Sequence, residues 1–151
     1  MPHRTVHNGA WVLVGDGKKA LLLRNDGDPD LLNLRRISVR EQENPPTRDQ
    51  GASAPGRAFA SMGGARSSME TTDWHDLEEE RFAISVAEDL NKAAEEGAFK
   101  HLVVVAPPRV LADLRTHFSK GVQGKIAFEM NKDLTHHPIP EIEKLLSVRE
   151  A

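Results

Sequence analysis

Apolar and polar residues near the start of the chain form a pattern that predicts a β-hairpin. Two short apolar runs, residues 10–14 and 19–24, lie on either side of the turn Gly15-Asp16-Gly17-Lys18. Apolar runs separated by a short glycine-containing turn are typical of two antiparallel strands. The first two elements are therefore expected to pair directly.

A third strand is predicted over residues 32–39, where apolar side chains recur at alternate positions on either side of two arginines. The spacing from Leu34 to Ile37 is odd, so the apolar side changes face partway along this strand. A change of face inside a strand indicates a bulge, a twist or a departure from the sheet. We expect that irregularity near Arg35 and Arg36.

The second half of the chain alternates between helical and strand periodicity. Residues 102–106 have no polar alternation, which is typical of a strand buried on both faces of a parallel sheet. The predicted elements are a helix from the cap Asp73 to Gly97, a strand over 102–106, a helix from Pro108 to Gly121, a strand over 126–130 and a helix from about Pro140.

This order predicts an α/β fold with three layers. Strand-helix-strand crossovers within one sheet are almost always right-handed, so the second-half strands should run parallel with helices covering them. The meander at the start of the chain then extends the other side of the sheet. The prediction is a mixed five-stranded sheet with helices on both faces, formed by residues 1–151 as a single domain.

A long flexible loop is predicted at about residues 44–73, where proline, glycine, serine and arginine replace any periodic pattern. Ordering such a loop costs roughly 1–2 kcal/mol of backbone entropy per residue. Long loops in compact domains are uncommon unless they are functional or disordered. We therefore expect this loop to contact a partner.

Composition excludes several classes of protein. The chain of 151 residues is 38% hydrophobic and 28% charged and contains no cysteine, so disulfides, thiolate metal sites and cysteine nucleophiles are ruled out. Its apolar runs are too short to cross a bilayer or to form a signal-peptide core. The sequence predicts a cytoplasmic protein without a membrane contact.

Charge is unevenly distributed along the chain. The formal net charge is −3, yet residues 35–66 contain six arginines against three acidic residues, a local +3 that leaves −6 elsewhere. The overall sign argues against indiscriminate coating of nucleic acid, and no binding to DNA is expected. The middle of the chain suits an anion, although arginines in a solvated loop also serve solubility alone.

Four segments carry a resemblance that spans almost the whole chain. They are residues 11–17 (WVLVGDG), 79–83 (EERFA), 103–111 (VVVAPPRVL) and 132–138 (KDLTHHP). In this order and separation they resemble the bacterial host-attachment protein family. That family is similar to the middle domain of eukaryotic and archaeal peptide-chain release factors, which implies a release-factor-like, ribonuclease-H-like topology.

The resemblance also assigns a role to the long loop. In release factors the corresponding loop carries Gly-Gly-Gln, which enters the ribosomal peptidyl-transferase centre and places a water for hydrolysis of peptidyl-tRNA. Here Gly63 and Gly64 match, but Ala65 occupies the glutamine position. Because alanine can neither orient a water nor donate a hydrogen bond, release-factor catalysis is not expected.

The candidate ligand-binding residues all lie in this loop. Glycines allow a backbone to approach a phosphate or a sugar closely, and arginines supply charge-assisted contacts. The alternative is a flexible loop tip without a ligand. The candidates are Arg57, Gly63, Gly64, Arg66 and Ser67.

Three other side chains are candidates for catalytic or metal-binding groups. Asp16 follows the first strand, where ribonuclease-H-like enzymes place a metal-binding carboxylate, but it lies between two glycines as an ordinary turn residue does. Adjacent His136 and His137 point in different directions, which is unfavourable for one tetrahedral metal, although His3 or His7 could join one of them. We expect no catalytic residue, no metal and no cofactor.

Three functions follow from these observations. The leading hypothesis is a non-enzymatic binding module that contacts the ribosome, tRNA or rRNA through its Gly/Arg-rich loop. The second is a contribution to the attachment of a bacterium to host cells, direct or indirect. The third is an uncharacterised hydrolase acting on an RNA or an aminoacyl ester.

Overall fold

The computed structural model describes residues 5–42 and 64–147, and it describes side chains of the first long helix from residue 77 onward. The elements in chain order are β1 (Trp11–Gly15), β2 (Lys19–Asn25), β3 (Leu34–Glu41), α1 (Gly64–Glu95), β4 (Leu102–Ala106), α2 (Pro108–His117), α3 (Lys120–Gln123), β5 (Ile126–Asn131) and α4 (Ile139–Ser147).

The five strands form one mixed sheet in the order β3-β2-β1-β4-β5. The β1, β2 and β3 strands pair antiparallel, whereas β1 with β4 and β4 with β5 pair parallel. This is the predicted combination of an antiparallel meander with parallel crossover strands. The fold class is therefore confirmed as a mixed five-stranded α/β sheet with helices on both faces.

Strand β4 is buried along its whole length, as predicted from its unbroken apolar sequence. Leu102, Val104 and Ala106 belong to the core beneath α1, α2 and α3. Val103 and Val105 belong to a second core beneath α4. Because successive side chains of a strand point to opposite faces, a strand between two helical layers has no solvent-facing position for a polar residue.

The predicted irregularity in β3 is confirmed, one residue beyond Arg36. Leu22 pairs with Ser38 and Leu23 pairs with Arg36, so Ile37 is an extra residue without a partner on β2. An extra residue shifts the following side chains to the other face. Only Leu34 of this strand is buried, because the helices do not extend over the rest of it.

Helix α1 begins at Gly64, which corrects the predicted loop over residues 64–73 and the predicted cap at Asp73. The rest of that predicted loop, residues 44–63, lies outside the described residues. Residues 64–72 lack amphipathic spacing, but extending an existing helix is much easier than nucleating one. The predicted end is confirmed. Gly97 has a φ of 73°, and the amides of Gly97 and Ala98 donate to the carbonyls of Ala94 and Ala93 at 3.0 Å each, a Schellman motif.

A second helix boundary predicted from periodicity is corrected. Helix α2 ends at His117 rather than at Gly121, because Ser119 starts α3 by accepting a hydrogen bond from the Val122 amide at 3.2 Å. In β5, Ile126 packs into the core beneath α1 whereas Phe128 packs into the core beneath α4. The pairing with β4 skips a residue between them, so they lie on opposite faces.

Asn25 is a buried polar residue that holds the loop after β2. It is 0% exposed, and its side-chain oxygen accepts hydrogen bonds from the amides of Gly27 and Asn33 at 2.9 Å each. Its side-chain nitrogen donates to the Val6 carbonyl at 3.0 Å. A buried amide is tolerated when its hydrogen bonds are made, so Asn25 fixes the path of this loop.

Candidate functional site

The residues predicted to bind a ligand lie at the start of α1 and in the segment before it. Gly64, Arg66 and Ser67 form the first turn of α1 in the backbone. Arg57 and Gly63 lie outside the described residues, as do the side chains of Arg66 and Ser67. The structure thus places three of the five candidates on one helical turn, where backbone amides lack partners within the helix.

Asp16 is a turn residue, as predicted, and it also makes a contact that the sequence did not reveal. Its Oδ1 accepts hydrogen bonds from the amides of Lys18 and Lys19, both at 2.7 Å. Its Oδ2 accepts a hydrogen bond from the Thr135 hydroxyl at 2.8 Å. The same hydroxyl lies 3.0 Å from Asp133 Oδ1, so one buried donor serves two carboxylates.

This hydroxyl-carboxylate group lies where the parallel strands β1 and β5 end. Asp16 directly follows β1, and Asp133 and Thr135 follow β5. Carboxyl ends of parallel strands meet at one edge of a sheet, which is where α/β folds most often bind ligands. Asp133 and Thr135 belong to one of the four segments that carry the family resemblance. Their position after a predicted parallel strand is the sequence signal that could have placed them near Asp16.

The histidines His7, His101 and His136 lie in two separate places. Exposed His136 has its Nε2 4.0 Å from Asp16 Oδ2, at the carboxyl end of β1. The His7 ring instead lies against the His101 ring, with centroids 4.2 Å apart and planes tilted by 31°, before β1 and β4 begin. Within the described residues, no three histidine or carboxylate side chains converge as metal ligands; His3 lies outside them.

The His7–His101 pair is electrostatically unfavourable in its charged form. Burial lowers the pKa of His101 below its ordinary value of 6.5, and His7, Lys100 and Lys125 lower it further by repulsion. The Lys125 ammonium also lies 5.9 Å from the Phe99 ring centroid. The neutral form of His101 is therefore favoured in this environment.

The arginines of β3 lie exposed on the free edge of the sheet. Arg40 forms a salt bridge with Asp89 of α1, and Arg35 lies 3.9 Å from Asp26. Asp26 also pairs with Arg24 at 2.6 Å, and this hydrogen bond lowers the pKa of the Asp26 carboxyl. Among the described residues, Arg36 has no such carboxylate partner.

A groove of about 440 Å³ lies between the β2–β3 sheet surface and the loop that leads into α4. Leu21 and Leu23 form its floor, Lys19 and Arg36 line one side, and the other side is formed by residues 135–139. A second groove of about 610 Å³ continues along β3 and shares Lys19 and Arg36 with the first. Lys19 and Arg36 are 17 residues apart, so no local motif predicted that they share a groove.

None of the helices in the described part of the chain combines the length and apolar character that a bilayer span requires. This statement covers residues 5–42 and 64–147.

Comparison with known proteins places the chain in a family. Residues 9–146 match the sequence profile of bacterial archaeo-eukaryotic release factor family 12. An uncharacterized protein of Rickettsia prowazekii (strain Madrid E) is 29% identical over 75 residues, which are 48% of this chain and 50% of that protein. The chain thus aligns with about half the length of this relative.

A solved structure with a similar fold is the archaeal translation termination factor aRF1. The alignment covers 93% of this chain and 37% of the aRF1 chain, with a TM-score of 0.48 and 11% sequence identity. The family assignment rests instead on the profile, which extends from before β1 into α4. The protein belongs to bacterial archaeo-eukaryotic release factor family 12.

Proposed function

We propose that this protein is a non-enzymatic, translation-related module that binds ribosomal RNA or tRNA through its Gly/Arg-rich segment. The observation that carries the proposal is the family match over residues 9–146, because members of this family resemble factors that work on the ribosome. The segment of residues 43–63 and the first turn of α1 form the RNA contact.

The start of α1 supports this assignment through its chemistry. The first four amides of a helix have no intrahelical acceptor, and the helix dipole adds partial positive charge there. Gly64 has no side chain to keep a ligand away from those amides, and Arg66 adds a full positive charge. Backbone amides next to a cation are the donors that phosphate oxygens accept from most readily.

The rest of α1 holds this turn in place. Phe82, Val86 and Leu90 pack into the core against the sheet, and the Schellman motif at Gly97 closes the helix. A helix of 32 residues extends about 48 Å at 1.5 Å per residue. The RNA contact is thus built on a rigid element whose other end is anchored in the core.

Co-sedimentation with purified ribosomes at about 50 mM and 500 mM salt tests the proposal, because phosphate contacts weaken steeply with salt. We expect the intact chain in the ribosomal fraction at low salt only. Reversing both Arg57 and Arg66 to Glu should reduce the bound fraction at least about tenfold. Lys144→Glu on α4, which changes an exposed charge on another helix, is the control.

An intact chain that stays in the supernatant at both salt concentrations contradicts the proposal. A chain in which residues 44–63 are replaced by a short linker separates the contribution of this segment from that of the rest of the chain. If this chain still sediments with ribosomes at low salt as well as the intact chain does, the contact lies elsewhere.

The non-enzymatic part of the proposal rests on Ala65, which follows the two glycines where release factors carry glutamine. We expect no release of formyl-methionine from ribosomes loaded with its tRNA. Hydrolysis that is lost in Gly64→Val or Asp16→Asn would instead support the hydrolase hypothesis. A role in attachment to host cells stays a prediction, which protease treatment of intact cells tests by asking whether the protein is cleaved at the surface.

A further inference from the structure

We propose that the groove between the β2–β3 surface and the loop before α4 binds single-stranded RNA, as a second contact beside the Gly/Arg-rich segment. This inference rests on the proposed function, because it names where the same RNA contacts the β2–β3 surface. The binding residues are Lys19, Arg36 and His136.

The groove exists because α4 covers only part of its face of the sheet. Ile142 and Leu146 pack with the side chains of β1 and β4 on this face. At β3, Glu143 of α4 accepts a hydrogen bond from the Leu34 amide at 2.6 Å. Beyond Leu34, β3 is exposed, and Ile37 and Val39 are each 39% exposed.

The bulge at Ile37 determines which cation faces the groove. Leu23 lies directly opposite Arg36 on the sheet, and directly opposite residues on neighbouring strands share a face. Leu23 belongs to the core beneath α4, so Arg36 lies on this same side. With no bulge at Ile37, the side chains of Arg36 and of the residues before it would point to the other face of the sheet.

The electrostatics of the groove match an anion. No carboxylate is among the residues that line the first groove, and Glu41 is the only one along its continuation. Within the described residues, neither Lys19 nor Arg36 has a carboxylate within salt-bridge distance. Lys19 and Arg36 therefore suit successive phosphates of a nucleic-acid strand, whereas His136, whose Nε2 lies 4.0 Å from Asp16 Oδ2, offers its ring rather than a free charge.

The remaining surface matches a nucleotide base and sugar better than an acidic peptide. The side chain of His136 is 78% exposed, and imidazole rings are among the side chains on which unstacked bases lie. Pro138 and Ile139 add apolar surface beside it, over the apolar floor of the groove. Single-stranded RNA repeats a phosphate, a sugar and a base, so cations beside an apolar, ring-bearing surface suit this ligand.

The position of the groove connects it to the first contact. Glu41 lines the groove and ends β3, and the Gln42 amide donates to the Lys18 carbonyl at 2.7 Å. The chain therefore passes from the rim of the groove directly into the Gly/Arg-rich segment.

The test measures fluorescence anisotropy of a fluorescein-labelled 12-nucleotide oligouridine bound to the full chain between about 50 and 300 mM salt. Arg36→Ala and Lys19→Ala should each weaken binding about tenfold at low salt. Each should also make the salt dependence less steep by about 0.7, the change expected for one lost phosphate contact on a single strand. His136→Ala should weaken binding about tenfold with the salt dependence unchanged.

Lys120→Ala is the matched control, because Lys120 is an exposed cation on α3, on the opposite face of the sheet. Far-UV circular dichroism and the Tm of each variant show whether it folds. The expected result is weaker binding by all three groove variants with Lys120→Ala equal to the intact chain.

The outcomes separate the groove from the proposed function. If the intact chain binds oligouridine and the groove variants bind equally well, the groove inference fails while the proposed function stands. If the intact chain does not bind oligouridine at low salt, the groove inference fails, and the ribosome experiment alone then decides the proposed function. Displacement of the RNA by oligoglutamate at equal charge concentration, with His136→Ala unaffected, overturns the assignment in favour of an acidic peptide.

Discussion

Thr135→Val tests the hydrogen bonds that join the hairpin turn after β1 to the segment after β5. The Thr135 side chain is buried, with only 2% exposed, and its hydroxyl lies 2.8 Å from Asp16 Oδ2 and 3.0 Å from Asp133 Oδ1. Valine has nearly the same shape, so the substitution removes the hydroxyl without leaving a cavity. The measured change in the free energy of unfolding therefore reports on these bonds.

The expected size follows from the charge and the exposure of the acceptor. A hydrogen bond to a charged group contributes about 1.5–3 kcal/mol. The Asp16 side chain is 18% exposed, so water replaces part of the lost bond in the variant. We expect a loss of about 1–2 kcal/mol, which for a chain of this length lowers Tm by about 3–6 °C.

Urea unfolding followed by circular dichroism at pH 7, with a thermal scan, measures the change. Thr116→Val is the control, because the Thr116 hydroxyl is exposed and donates only to the Ala112 carbonyl at 2.9 Å within α2. It should alter stability by less than about 0.5 kcal/mol. Thr135→Ser keeps the hydroxyl and should lose less stability than Thr135→Val.

A double-mutant cycle shows whether the effect comes from the bond to Asp16. Asp16→Asn weakens the acceptor, and its combination with Thr135→Val should be non-additive by about 0.5–2 kcal/mol, because the two groups are in contact. If Thr135→Val is as stable as the intact chain, the hydroxyl does not contribute to the free energy of unfolding and the prediction is wrong. Fully additive losses would also contradict it, because they would show that the hydroxyl and Asp16 contribute independently.

Three further predictions concern backbone geometry and pH. Gly97→Ala should lower the free energy of unfolding, measured in urea, by about 1 kcal/mol, because the new Cβ meets nothing within 4 Å and only the positive φ is unfavourable. The control Gly121→Ala, in helix α3, should be neutral or stabilising. Equal effects of the two substitutions would contradict this explanation. Gly27→Ala should cost more, about 2–3 kcal/mol, because its Cβ would lie 2.2 Å from a backbone oxygen of the same loop; a loss no larger than that of Gly97→Ala would show that the loop moves freely. Burial, and secondarily His7 and two lysines, lower the pKa of His101 below 6.5. The unfolded chain therefore takes up the proton at a higher pH than the folded chain, and stability present above about pH 6.5 is lost as pH falls through the lower folded pKa. His101→Gln should reduce this loss of stability between pH 7.5 and 5.5, and an unchanged pH profile would show that His101 does not cause it.

Local patterns determined much of the fold before any tertiary information was used. Strand β4 was predicted from five consecutive apolar residues, and the end of α1 was predicted from Gly97. Both are decided by neighbours in sequence, since burial on two faces demands an apolar run and a left-handed cap favours glycine. The bulge in β3 was predicted for the same reason, because the apolar spacing changes face there.

Helix boundaries depended on competition that a local pattern does not resolve. Serine, threonine and glycine between residues 64 and 72 are weak helix formers, so the sequence favoured a loop there. The chain nevertheless adds these residues to a helix whose other turns pack against the sheet. The same competition ends α2 at His117, where the Ser119 side chain caps a new helix.

Periodicity and turn residues predicted the sheet and the order of its crossovers, and composition identified the segment rich in glycine and arginine. Only the tertiary structure joined Asp16 to Thr135 across 119 positions and placed Lys19 and Arg36 in one groove. The physical reason is that periodicity reports which face of an element is buried, whereas contacts between distant residues depend on how strands are ordered and how far each helix extends over them.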